Sequence, residues 1–276
     1  MASGTKKKGT PKKAVKAARS SSVVSKKGTP WGTIVAVVAV VALLATVLIY
    51  YYVESGDKRA QADREAAAAA FAPTAENPDP SLKLAGIVTQ KYEASVHVSA
   101  AERVAYDRSP PFGGPHDQAW AACTGIVYPN AVRTENLVHS LEHGAIWIAY
   151  NPDQISGDAL NKLRVRVDGK PYTVMSPYPG LDKPISLQSW GHQLKLDNVD
   201  DERIDQFIVA LRQNGNGVYP EIGASCDATG PGGFDLDNPP PFDPTPPGPD
   251  AKPMDYKGTE GTQQDGQQPP MPPAGG

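Results

Sequence analysis

Three features of the sequence predict an α+β fold: a single compact extracytoplasmic domain behind one N-terminal transmembrane helix, followed by a disordered Pro/Gly-rich C-terminal tail. The first is residues 31–53, WGTIVAVVAVVALLATVLIYYYV, which carry no charged side chain. The second is residues 82–226, where short apolar runs and amphipathic stretches alternate with turn signals. The third is a change of composition at residue 227, beyond which 13 Pro and 9 Gly fall within 50 residues.

Residues 1–30 form a basic arm with nine Lys and Arg and no acid, so the net charge of −3 divides into +9 there and −12 over the rest. At 1.5 Å rise per residue, about 20 apolar residues cross a hydrocarbon layer of roughly 30 Å. Residues 31–53 suffice, and Tyr50, Tyr51 and Tyr52 suit the headgroup zone. The following VESGDKR offers no small-residue cleavage site, so the helix reads as an uncleaved, single-pass anchor. Positive charge retains the arm in the cytoplasm and places the remainder outside the cell membrane. The arm is read as a topology signal, not as a nucleic-acid site.

Residues 54–81 read as a helical stalk and linker. ESGDKRAQADREAAAAAF is rich in helix formers, and Pro73, Pro78 and Pro80 then end the helix. In the domain, AGIVTQKY, TGIVY, AIWIAY, YTVMS and ISLQSWGHQLKL read as strands, and GDALNKLRVRV as a helix running into a strand. VDDERIDQFIVALRQNG is a helix with Ile204, Phe207, Ile208 and Leu211 on one stripe. The absence of regular strand–helix alternation favours α+β. Residues 227–276 carry eight acids, two Lys and almost no aliphatic side chains, too little apolar surface to offset the entropy of ordering. Their proline runs are a solvated spacer or a polyproline ligand for an envelope partner.

Cys123 and Cys226 both fall on the outward side, where two lone cysteines are most simply a disulfide. It closes a 103-residue separation, for which chain entropy gives about 4.7 kcal/mol as an upper figure. The alternative keeps Cys123 reduced as a metal ligand or redox nucleophile.

All five histidines, His97, His116, His139, His143 and His192, lie in the domain. In ENLVHSLEHGAIWIAYNP, a helix over 135–143 capped by Thr134 and stopped by Gly144 puts His139 and His143 four apart on one face, as helical metal ligation requires. The pair also suits plain hydrogen bonding in a core. His-x-x-Glu-His is equally the inverted zincin arrangement, with Glu142 as water-activating base and an acid on a second helix, Glu202 or Asp205, as third ligand.

The segments YDRSPPFGGPHDQAWAACTGIVY, LVHSLEHGAIWIAYNPD and SLQSWGHQL, in that order, resemble the bacterial domain of unknown function 3105 family over residues 84–226. The resemblance implies a tethered extracytoplasmic domain in which His97, His116, His139 and His143 act together. PPFGGPH departs from the family, where a Thr-Ser pair is more usual, and His192 stands where Arg is more frequent. A surface role is therefore the default for His192.

Imidazoles in this number suit copper or zinc, with iron or nickel behind them and magnesium or calcium poorly served. Met175 in YTVMS is a core residue, or a soft ligand if it lies close; Glu142 suits orientation of one imidazole from outside the ligand set. Trp120, Trp147 and Trp190 are core or pocket wall. Three readings of function remain open: a membrane-anchored metal-binding envelope protein, an envelope scaffold with structural histidines, and a zinc hydrolase using Glu142.

Overall fold

The computed structural model describes residues 28 and 30–258. The basic arm lies almost wholly outside the described residues, as does the tail from 259 on. The chain divides into two compact units, up to Glu54 and from Ser55. Helix α1 (Trp31–Ala68) carries the uncharged stretch, whose large apolar side chains are exposed from Trp31 to Val53. Among the described residues it is the one helix long and apolar enough to cross a membrane, consistent with an N-terminal anchor. A single 3-10 turn, Ala69–Phe71, ends it, and Ala72 goes extended because the following Pro73 disfavours helical geometry there.

The second unit is a mixed α/β domain built on a six-stranded sheet. Its strands are β1 (Val88–Thr89), β4 (Thr124–Val127), β5 (Ile146–Tyr150), β6 (Thr173–Pro177), β7 (Ile185–Ser189) and β8 (His192–Leu196), in the order β1-β8-β7-β5-β6-β4. The β4, β6 and β5 neighbours are parallel, while β7, β8 and β1 add antiparallel. Two short parallel strands, β2 (His97–Val98) and β3 (His116–Asp117), stand apart. Three helices complete the domain: α2 (Thr134–Glu142), α3 (Gly157–Arg164) and α4 (Arg203–Leu211).

Strand β5 reads apolar throughout because both its faces are covered. Trp147 and Ala149 pack with Leu137, Val138 and Leu141 of α2. Ile146, Ile148 and Tyr150 face the other way, toward Leu163 of α3 and Ile204, Phe207, Ile208 and Leu211 of α4. The sheet thus separates two apolar clusters, and α2 alone among the domain helices belongs to the first.

Several expectations are corrected. The strand expected after α3 is a run of turns, because Arg166 folds back to bind Asp205 through three nitrogen–oxygen contacts of 2.9–3.1 Å. The unit β5–α3–β6 is a parallel crossover inside a mixed sheet, which the irregular alternation of patterns concealed. Thr134 is the first residue of α2, and no side chain caps that helix. Residues 227–258, expected to be disordered, lie against the domain: Phe234 is fully buried, Phe242 packs on Tyr178, and Pro241 bridges to Val132. A few aromatic anchors and main-chain bonds substitute there for the missing aliphatics. His192 is not a surface residue; it is buried, with Nδ1 on the Trp190 carbonyl at 2.7 Å and Nε2 on Asp79 at 2.9 Å.

The same Asp79 accepts from the backbone and hydroxyl of Ser81, so one carboxylate ties the linker to β8. Burial pushes its pKa up, but the hydrogen bonds from His192 and Ser81 outweigh that and hold it below the ordinary value of 3.8. A depressed folded value gives stability that is present above the unfolded value and lost as pH falls through the folded one. Asp79→Asn is expected to lower unfolding free energy by about 1 kcal/mol at neutral pH. In urea titrations the gap from the parent should close below about pH 4.

Candidate metal centre

Three pieces of chain deliver the site. The parallel pairing of β2 and β3 sets His97 directly opposite His116. Helix α2 brings His139 and Glu142 on adjacent turns, and His143 follows at its C-cap. Every residue of α2 is buried, so these side chains meet inside the protein. The third piece is the segment leading to Cys226, which carries Glu221 and is fastened by the Cys123–Cys226 disulfide and by the Cys123 N–H on the Cys226 carbonyl at 2.9 Å.

The rings converge. Centroid separations are 4.9 Å for His97–His116, 5.1 Å for His97–His139, 4.7 Å for His116–His139 and 4.7 Å for His139–His143. Two groups have donor atoms all within 4.8 Å of one another: His97, His116, His139 and Glu142, and His139, His143 and Glu221.

Backbone carbonyls fix which nitrogen faces inward. Nδ1 of His116 lies 2.8 Å from the Gly114 carbonyl, that of His139 2.6 Å from Asp117, and that of His143 2.6 Å from Ser225. A carbonyl only accepts, so each Nδ1 carries the hydrogen and each neutral ring turns a bare Nε2 into the cluster. Gly114 can serve because it adopts φ +100°, where a Cβ would also strike Met254.

The bare nitrogens meet carboxylates. Nε2 of His116 is 2.8 Å from Oε2 of Glu142, both side chains fully buried, and Nε2 of His143 is 3.1 Å from Oε2 of Glu221. In the neutral Nδ1–H form, two acceptors would face each other at these distances; a proton or a metal cation between them makes the contact attractive. Nε2 of His97, Nε2 of His116 and Oε2 of Glu142 are buried without a hydrogen-bond partner. The other Glu142 oxygen accepts from the Ser95 N–H at 2.7 Å, and Ser95 takes the left-handed φ of 56°.

Electrostatics divides the rings. Burial, then the neighbouring His116 and His143, hold His139 well below the usual imidazole value, against a smaller upward push from its bond to the Asp117 carbonyl. Burial and His116 likewise lower His97. Burial also opposes charge on His116, but the Glu142 carboxylate outweighs it and raises the net value. A proton on Nε2 of His143 would be donated to Glu221, and this bond keeps Glu221 below the usual carboxylate range despite desolvation. Burial thus disfavours a proton on His97 and His139, while Glu142 favours one on His116.

The structure brings His97, His116, His139 and His143 together, but His143 groups with Glu221, and Glu142 takes a donor place beside the other three. His192 joins neither group. Met175 lies in the second apolar cluster with Ile148 and Leu187. Asp205 is committed to Arg166, and Glu202 is in neither group. Trp120 forms a wall against His139 and His143, Trp190 stands edge-on to His116, and Trp147 is core. Glu221 was missed by sequence reasoning; its one signal was position, five residues before a cysteine that pairs close to α2.

These features define a class: a mixed α/β domain behind a long apolar helix, with a buried histidine–carboxylate cluster capable of holding a metal ion. Residues 97–228 match the family model described as Protein of unknown function (DUF3105). No curated protein and no solved structure matches the chain significantly.

Gly144 closes α2 at φ +85°, and a Cβ there would fall 2.7–2.8 Å from the Tyr219 ring. Gly144→Ala therefore meets both backbone strain and a clash, and is expected to cost about 2 kcal/mol or more in equilibrium unfolding.

Proposed function

We propose that this domain holds one divalent transition-metal ion, Zn2+ or Cu2+, in the envelope outside the cytoplasmic membrane. Its ligands are His97, His116, His139 and Glu142. The observation that carries this reading is a set of three imidazoles and one buried carboxylate within 4.8 Å, with two of the rings turned inward by backbone carbonyls. In a tetrahedral site, Zn–N and Zn–O bonds near 2.0–2.1 Å set donors about 3.3–3.4 Å apart, so a pair at the 4.8 Å limit closes by roughly 1.4 Å around an ion. Nitrogen with one carboxylate suits these two ions better than magnesium or calcium.

Holding an ion fits better than hydrolysis. The four donors all come from protein, which fills a tetrahedral site and leaves no position for a water to be activated. Glu142 is itself a ligand in this reading and its other oxygen is held by the Ser95 N–H, so no free base is left for the inverted-zincin chemistry. The disulfide supports an oxidising compartment, and with the basic arm it favours a cytoplasmic N-terminus and an outward domain.

The test uses the full-length chain without a histidine tag, in detergent, dialysed against Zn2+ and Cu2+ together and assayed by elemental mass spectrometry. One ion per chain is expected. His116→Ala and Glu142→Gln should each weaken binding by about 100-fold or more, and His192→Ala should bind like the parent. Substoichiometric metal, with the first two variants folded and binding like the parent, would remove the proposal.

A further inference from the structure

The second donor group points to how an ion reaches the first. We propose that His143 and Glu221 form an outer receiving position, from which the ion passes to the inner ligands by exchange around His139. This rests on the metal-holding reading above.

Three observations carry it. His139 belongs to both groups, and because its Nδ1 is taken by the Asp117 carbonyl it has one free lone pair, on Nε2. The two carboxylates differ in access: the Glu221 side chain is 31% exposed and that of Glu142 is 0% exposed. A single residue spans both carboxylates, since the Ser95 N–H donates to Oε1 of Glu142 and its hydroxyl lies 3.5 Å from Oε1 of Glu221.

A partly exposed carboxylate beside a bare imidazole nitrogen attracts a hydrated cation and begins to replace its water shell. In the exchange, the bond to His139 is kept. The bonds to His143 and Glu221 break as those to His97, His116 and Glu142 form. No electron moves, and the charge of the ion is unchanged. One lone pair binds one ion at a time, so the two positions cannot both be complete and the saturated protein holds a single ion.

The experiment mixes the full chain in detergent with Cu2+ in a weakly coordinating buffer. Loading is followed by quenching of tryptophan emission, to which Trp120 contributes from its place against His139 and His143. Glu221→Gln is expected to keep the final stoichiometry of one ion while loading about tenfold more slowly or worse. In a His116→Gln background the ion should be retained at the outer position with weaker affinity, and adding Glu221→Gln should abolish that binding. Loading of Glu221→Gln at the parent rate, or two tight ions per parent chain, would overturn this pathway while leaving the inner site intact. A parent chain that binds no ion would overturn both proposals.

Discussion

The domain depends on a restriction applied to its imidazoles: carbonyl oxygens of the main chain occupy one side of three rings. A free histidine exchanges its proton between two nitrogens and turns about its side-chain bonds. Here the carbonyls of Gly114, Asp117 and Ser225 remove both freedoms at once. The opposite nitrogen of each ring then points into a volume already shared with Glu142 and Glu221. The result is buried lone pairs facing carboxylates, an arrangement that a shared proton or a cation would satisfy.

The sheet makes that restriction possible. Because β5 is sealed by α3 and α4 on one face, α2 has the other face to itself and can be buried along its whole length. The helix then delivers His139, Glu142 and His143 from a rigid element, and the close approach of Tyr219 to Gly144 fixes the exit of the chain. Parallel pairing of two very short strands is weak alone. It nonetheless sets His97 level with His116, because the loops on either side are anchored to α2 and to the left-handed turn at Ser95.

Much of this was legible in the sequence, and the boundary is physical. Periodicity exposed the apolar anchor, the β5 run and the α4 stripe, since these depend on local pattern. The histidines on α2 were visible because four-residue spacing has a geometric meaning on a helix. That His97 and His116 would join them came from family resemblance, since no local rule links residues so far apart. Glu221 and the acceptor carbonyls were not legible, because a carbonyl has no sequence signature and a lone glutamate in a loop is ordinary. Residues 227–258 were misjudged because composition measures total apolar surface, whereas Phe234 and Phe242 contribute theirs at particular seats.

The bond between Cys123 and Cys226 crosses the domain at a telling place. The residue just before Cys226 supplies the carbonyl that orients His143, and the residue just after it accepts the indole N–H of Trp120. Oxidation of two thiols is therefore also the event that seats the rim of the histidine cluster, so a chain still in a reducing compartment would carry its imidazoles with that wall unsecured. On the proposed reading, an ion would meet a finished rim only once the two thiols had been joined, without any separate sensor.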